Sequence, residues 1–129
     1  MCMHIEHAAL YVSDLENARD FFVRYFSAVP GENYHNPRTG FTSYFLTFGE
    51  GARLELMTRP DLIGREKPLT GSGYAHLAFS LGSRAAVDAL TSRLRADGYP
   101  VLSGPRLTGD GYYESCILDR EGNQIELTE

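Results

Sequence analysis

The sequence predicts an α+β fold in which two tandem βαβββ modules form one domain, residues 1–129. Three observations support this prediction. A chain of 129 residues has the size of one compact domain with a single core. A strand-like run followed by a helix-like run occurs twice along the chain. Each of these pairs is followed by further strand-like runs, which turn residues separate.

The first module covers residues 1–58. Its opening run, EHAALYVSDLENARDFFVRYF, alternates in the manner of a strand through Val12 and then places aromatic residues at helical spacing. Ser13 or Asp14 is the predicted helix N-cap, and Pro30 is predicted to end the helix together with the glycine that follows it. The runs FTSYFLTF and RLELM come next as predicted strands, with the turn GEGA between them.

The second module, residues 74–129, repeats this order. In AHLAFSLGSRAAVDALTSRLRADG, a strand leads into a helix with Ser83 as the predicted N-cap and Gly98 as the C-terminal stop. The strands GYYESCIL and QIELT follow, separated by DREGN, and in both modules the first strand after the helix has the weakest pattern. Residues 59–73, RPDLIGREKPLTGSG, are rich in proline, glycine and charge, and are the predicted linker.

The same spacing of histidine and glutamate occurs in both modules. His7 to Glu55 spans 55 − 7 = 48 positions, and His76 to Glu126 spans 126 − 76 = 50. The two histidines lie 76 − 7 = 69 positions apart. A period of this length that occurs only twice indicates a duplicated module within one domain rather than an open repeat array.

Composition and charge argue against several kinds of partner. The formal net charge is −5, from 12 basic and 17 acidic residues, which gives no basic surface for nucleic acid or an anionic membrane. No apolar run approaches the roughly 20 residues of a membrane helix, and the N-terminus has no secretory pattern, so a cytoplasmic protein is predicted. Cys2 and Cys116 are far apart in the sequence and show no CxxC spacing, so neither a disulfide framework nor a cysteine-only metal site is expected.

Four side chains are predicted to lie on the strand faces that point away from the aliphatic side of each module. Because side chains alternate along a strand, His7 and Glu55 point away from the aliphatic side of the first module. His76 and Glu126 do the same in the second module. A solvated sheet face would explain any one of these residues alone. Their recurrence at matched positions, as two imidazoles and two carboxylates, favours a divalent metal such as zinc, nickel, cobalt, manganese or iron.

The runs HAALYVSDLENARDFF, LELM, GYAHLAFSL and DREGNQIELTE carry a family resemblance that covers nearly the whole chain. The sequence resembles the vicinal oxygen chelate superfamily in its glyoxalase I-like branch. The resemblance implies mixed sheets that form a cup-shaped metal and substrate site, with His7, Glu55, His76 and Glu126 at the four ligand positions. It also implies a homodimer whose sites are shared between chains, as in many relatives, with a site inside each chain as the alternative.

The resemblance further implies a metal-dependent lyase or isomerase, similar to lactoylglutathione lyase, that acts on two adjacent oxygens of a small substrate through an enediolate. Glu55 and Glu126 are the candidate catalytic residues, because a carboxylate at the edge of the metal can move a proton between neighbouring carbons. A thiol cosubstrate such as glutathione is implied as well. Bacterial relatives usually carry an arginine four residues after the first histidine to hold the thiol's carboxylate, but Tyr11 stands there. Tyr11 and Arg59 are therefore the candidate substrate-binding residues.

Two other kinds of function stay open at this point. Metal-free relatives sequester antibiotics such as bleomycin in an aromatic groove between two chains, and the chain has tyrosines on or near its predicted strands. The retained histidines and glutamates argue against this alternative. The second alternative is another metal-dependent member, such as an extradiol dioxygenase or an epimerase. Because the usual dioxygenase triad has one carboxylate, the additional Glu55 favours isomerase-type chemistry.

Overall fold

The computed structural model describes all 129 residues and contains two mixed β-sheets and two α-helices. By its internal contacts the chain divides into two units, Met1–Gly64 and Arg65–Glu129. Each unit holds one sheet and one helix. This architecture confirms the α+β fold of two βαβββ modules that the sequence predicts.

The first unit contains one helix and five strands. In chain order they are β1 (His7–Tyr11), α1 (Leu15–Phe26), β2 (Val29–Pro30), β3 (Tyr34–His35), β4 (Thr42–Thr47) and β5 (Arg53–Thr58). The sheet has the order β1-β5-β4-β2, and β3 also pairs with β4. Strand β1 runs parallel to β5, whereas the other pairs are antiparallel. The two short strands β2 and β3 agree with the weak pattern of the sequence directly after the helix.

Helix α1 starts where the sequence predicts but ends earlier. The side chain of Asp14 caps it by accepting a hydrogen bond from the backbone N–H of Asn17 at 3.0 Å. The helix ends at Phe26, and Ser27 follows in the left-handed conformation with a φ of 55°. The prediction that Pro30 ends the helix is therefore wrong. A left-handed residue already breaks the helical hydrogen bonds, so Pro30 is free to lie in the short strand β2.

The second unit contains one helix and four strands. In chain order they are β6 (His76–Ser80), α2 (Arg84–Ala96), β7 (Val101–Leu107), β8 (Tyr113–Leu118) and β9 (Gln124–Thr128). The sheet has the order β6-β9-β8-β7, with β6 parallel to β9 and the other pairs antiparallel. Ser83 caps α2 through a hydrogen bond from the N–H of Ala86 at 3.1 Å, and Gly98 follows the helix with a φ of 92°. Both helix ends agree with the prediction.

The prediction that the first strand after the helix is weak in both modules is wrong for the second module, where this strand is β7. It has seven residues and is the longest strand of the chain. The sequence VLSGPRL contains a Gly-Pro pair that is typical of a turn. Here Gly104 has a φ of 79°, and the register between β7 and β8 shifts on either side of Ser103, so the pair is accommodated within a bulged strand.

Each helix covers the aliphatic face of its own sheet. In the first unit, Phe22 of α1 is buried, as are Leu54 and Leu56 of β5. In the second unit, Val87 and Leu94 of α2 are fully buried, as are Ile117 of β8 and the two aliphatic residues of β9, Ile125 and Leu127. Burial of this face leaves the opposite face of each sheet for the polar residues. No helix in the structure has both the length and the apolar composition that crossing a membrane requires.

The predicted linker, residues 59–73, spans the boundary between the two units, which falls after Gly64. Its second half is attached to the second unit by two hydrogen bonds. The Lys67 ammonium donates to the carbonyl of Glu121 at 2.7 Å, and the side-chain amide of Gln124 donates to the carbonyl of Leu69 at 3.1 Å.

Candidate functional site

In the first unit, His7 and Glu55 lie close together on the sheet face that the helix does not cover. His7 opens β1, and Glu55 lies in β5, two positions beyond the residue directly opposite His7. The imidazole Nε2 lies 3.8 Å from the carboxylate Oε1, with 39% of the His7 side chain and 17% of the Glu55 side chain exposed. The residue directly opposite Glu55 is Ala9, which is exposed.

The second unit contains the equivalent pair. His76 opens β6, and Glu126 lies in β9 opposite Ala78. The imidazole Nε2 lies 3.3 Å from the carboxylate Oε2, with 39% and 21% of the two side chains exposed. In each module the fold therefore brings the two predicted residues together. In both cases they lie on the first and last strands of the module, which are parallel, and the glutamate lies two positions beyond the residue opposite the histidine.

The surroundings of His7 contain a carboxylate and an arginine. The Nδ1 atom of His7 lies 2.9 Å from Oε1 of Glu6, and Arg53 donates two hydrogen bonds to the same carboxylate at 3.0 and 2.5 Å. The Arg53 guanidinium and the His7 imidazole lower the pKa of Glu6 to about 2. Arg53 also lies over the ring of Phe45, 4.1 Å from its centroid, and His7 meets the same ring edge-on at 5.3 Å.

The surroundings of Glu126 are more acidic. Cys116 lies directly opposite Glu126 on β8, and Glu114 lies two residues earlier on the same strand. Burial, followed by a hydrogen bond with Glu126 and the charge of Glu126, raises the pKa of Glu114. Burial, followed by the charges of these two glutamates, raises the pKa of the Cys116 thiol. Glu126 therefore shares its strand face with a second carboxyl group and a thiol.

Tyr11 and Arg59, the predicted substrate-binding residues, contact each other. Arg59 directly follows β5, whose Met57 lies opposite Tyr11. The Arg59 guanidinium donates to both carboxylate oxygens of Asp61, at 2.5 and 3.1 Å. The hydrogen bond to Asp61 and a second one to Tyr11 raise the pKa of Arg59. Because Arg59 is already paired with Asp61, its charge is not free to bind the anionic group of a ligand.

The donor atoms of the two pairs suit a divalent first-row metal, because imidazole nitrogen and carboxylate oxygen are its usual ligands. The structure contains no cluster of three or more His, Cys, Asp or Glu side chains with the geometry to hold a metal ion. Each unit holds one of the two predicted His–Glu pairs.

Sequence reasoning missed four residues next to these pairs. Glu6 precedes β1, where strand alternation does not apply, so the sequence gives no signal that it reaches the imidazole. Arg53 lies opposite His7 and two residues before Glu55, Cys116 lies opposite Glu126, and Glu114 lies two residues before Cys116. The alternation of β5 places Arg53 on the Glu55 face, but the positions of Glu114 and Cys116 depend on the register of β8, which the sequence does not reveal.

Comparisons with known proteins identify the family. The model of the glyoxalase/bleomycin resistance protein/dioxygenase superfamily matches residues 4–127. The chain belongs to this superfamily.

Individual relatives share most of their length with the chain. It is 28% identical to the uncharacterized protein YqjT of Bacillus subtilis over 95% of its own length and 96% of the relative's. Among solved structures, the trypanothione-dependent glyoxalase I of Leishmania major is 20% identical with a TM-score of 0.80, over 99% of this chain and 87% of that one. The fosfomycin resistance protein FosX of Listeria monocytogenes, complexed with Mn(II) and sulfate, is also 20% identical, with a TM-score of 0.72 over 99% and 93% of the two chains. At this identity, the two structures establish a common fold.

Proposed function

We propose that the chain is a divalent-metal-dependent lyase or isomerase of the glyoxalase type, which acts on a small molecule through two adjacent oxygens. The observation that carries the proposal is the equivalence of the two His–Glu pairs. Both lie on the first and last strands of a module, with Nε2 to carboxylate distances of 3.8 and 3.3 Å. Membership of the superfamily supports the proposal, as does the Mn(II) bound by a solved protein of the same fold.

In this proposal the metal ligands are His7, Glu55, His76 and Glu126. Zinc, nickel, cobalt, manganese and iron all accept such a set. When bound, the ion supplies Lewis-acid polarisation of the substrate's oxygens. The half-exposed imidazoles and the less exposed glutamates leave each pair accessible from the uncovered sheet face.

The two glutamates are also the proposed catalytic bases. A carboxylate oxygen of Glu55 or Glu126 takes a proton from the carbon next to the carbonyl and returns it to the neighbouring carbon. The environments of the two differ. Glu126 shares a hydrogen bond with Glu114 in addition to lying near His76, whereas Glu55 is paired across the strands with the apolar Phe45. Because Glu55 has fewer competing contacts, it is the better candidate for the base that moves the proton.

We propose that Tyr11 and Arg59 contact the polar part of the substrate. Tyr11 is the last residue of β1, Arg59 directly follows β5, and the two side chains contact each other. Arg59→Ala should then raise KM with little change in kcat, since it removes binding that ground state and transition state share. Arg95→Ala, at an exposed position in the last turn of α2, is the matched control. The neutralising contact with Asp61 favours a substrate or thiol cosubstrate without a strongly held carboxylate, and glutathione is one of several thiols to assay.

The primary test measures metal content of protein purified without chelator and then supplied with each of the five metals. Wild type should hold metal stoichiometrically, and the double variant Glu55→Gln with Glu126→Gln should not. Glu50→Gln, on the exposed turn between β4 and β5, is the matched control. A wild type that binds none of the metals would refute the proposal and favour antibiotic sequestration. Turnover of methylglyoxal with a panel of thiols then separates glyoxalase action from dioxygenase or epimerase action.

A second test concerns assembly, for which we propose a cytoplasmic homodimer that shares its sites between chains. His7→Ala and His76→Ala chains should each lose metal binding, whereas His35→Ala, at an exposed position in β3, should not. If one chain supplies the first pair and its partner the second, a mixed dimer of the two defective chains regains one intact site. If each chain holds its own site, the mixture stays inactive, which would refute the shared arrangement.

A further inference from the structure

His7 is held at its Nδ1 atom by a residue outside the predicted ligand set. Nδ1 lies 2.9 Å from Oε1 of Glu6. An ionised carboxylate only accepts hydrogen bonds, so at neutral pH the proton of this contact belongs to Nδ1. In a neutral imidazole the lone pair is then on Nε2, the atom that faces Glu55 at 3.8 Å.

Glu6 is itself fixed by contacts of both its side chain and its backbone. The Arg53 side chain donates to both carboxylate oxygens at 3.0 and 2.5 Å, and the backbone N–H of Arg53 donates to the carbonyl of Glu6 at 2.9 Å. Arg53 is in turn packed over the Phe45 ring, which also contacts the edge of His7. These contacts hold the carboxylate beside the imidazole, although 57% of the Glu6 side chain is exposed.

The second unit lacks this arrangement. The residue before His76 is Ala75, and Gln124 occupies the position opposite His76 that Arg53 occupies opposite His7. The side chain of Gln124 donates instead to the carbonyl of Leu69, in the segment that precedes β6. The two histidines are therefore placed alike by the repeated strands but held differently.

We propose that Glu6, fixed by Arg53, is a positioning residue that holds His7 as the Nδ1–H tautomer and so presents Nε2 to a metal ion, whereas His76 has no such partner. This contact reduces the orientations of the His7 ring before any ligand arrives. Residues that hold the second nitrogen of a metal-binding histidine commonly strengthen metal binding about 10–100-fold. The tautomer part of the proposal stands on this structure alone, and the metal part rests on the proposed function.

The tautomer is tested in metal-free protein by long-range ¹H–¹⁵N correlation spectroscopy, at a pH where both imidazoles are neutral. His7 should show the Nδ1–H pattern in wild type and in Glu6→Gln, whose amide oxygen still accepts a hydrogen bond. It should change to the Nε2–H pattern in Glu6→Ala. A His7 that is Nε2–H in wild type, or that stays Nδ1–H in Glu6→Ala, would overturn the proposal. Transfer of the arrangement by Ala75→Glu with Gln124→Arg should convert His76 to the Nδ1–H form.

The positioning role is tested by metal affinity, measured by competition with a chelator. Glu6→Ala should bind metal about 10–100-fold more weakly than wild type, with Glu50→Ala unchanged and Glu6→Gln between them. Equal affinities of wild type and Glu6→Ala would overturn the positioning role. A wild type that binds no metal would refute the proposed function instead, and the spectroscopic result would still decide the tautomer.

Discussion

The substitution Gly104→Ala tests how the bulge in β7 is built. Gly104 has a φ of 79°, in the left-handed region. A Cβ added there would lie 3.0 Å from the Cα of Ser115, 3.1 Å from the backbone nitrogen of Arg106, and closer still to the carbonyl oxygen of Glu114. All three neighbours are backbone atoms, so no side-chain rotation relieves the contact.

Two costs combine at this position. The left-handed backbone costs a residue with a Cβ about 1–2 kcal/mol, and overpacking adds about 1–3 kcal/mol, so a loss of about 2–5 kcal/mol in the free energy of unfolding is expected. Gly98→Ala is the matched control. Gly98 has a φ of 92° but no atom within 4 Å of an added Cβ, so only the backbone cost of about 1–2 kcal/mol applies.

Urea denaturation of both variants, followed by circular dichroism, measures the difference. Gly104→Ala should be less stable than Gly98→Ala by the overpacking cost alone. Equal losses of free energy in the two variants would refute the steric argument and indicate that β8 moves away at little cost. Such a movement would also displace Glu114, which lies on β8 beside Glu126.

Three further predictions concern the core and the thiols. Leu56→Ala should lower the free energy of unfolding by about 2–5 kcal/mol in urea denaturation, because its side chain is fully buried and would leave a cavity. Thr91→Val should lower the free energy of unfolding by about 1–3 kcal/mol, and Ser115→Ala by only about 0.5–1.5 kcal/mol. The reason is that the Thr91 hydroxyl donates to the carbonyl of Val87 in its own helix, so Ser115 is the donor between the two hydroxyls. The reverse order would contradict this assignment. At neutral pH an alkylating reagent should modify the exposed Cys2 well before Cys116, whose pKa is raised by burial, and peptide mass spectrometry reports the two rates.

Much of the fold could be predicted because local rules and tertiary structure agree. The N-caps at Asp14 and Ser83 are polar side chains that satisfy free backbone N–H groups, and the helix starts follow from them. Two deviations have backbone causes. Ser27 adopts a left-handed conformation, which is not expected of a serine. Strand β7 contains a Gly-Pro pair that would favour a turn in isolation.

The candidate site could be predicted only in part, for a geometric reason. The alternation of strand side chains is a local property, so the sequence alone places His7 and Glu55 on one face. The neighbours that modify them come from outside this rule. Glu6 lies before the strand, and Glu114 reaches Glu126 only through the antiparallel register of β8 and β9.

The residue opposite each candidate ligand glutamate is an alanine, Ala9 opposite Glu55 and Ala78 opposite Glu126. Each glutamate can therefore lie over a neighbour that fills almost no volume, and it reaches the histidine two positions away along the adjacent strand. A leucine at either position would occupy the room through which a ligand approaches the carboxylate. In the proposed site, Ala9 and Ala78 therefore limit the size of the group that can approach each pair. Replacing one alanine at a time by a larger residue should reduce the size of the substrate that is accepted, without altering any of the proposed ligands.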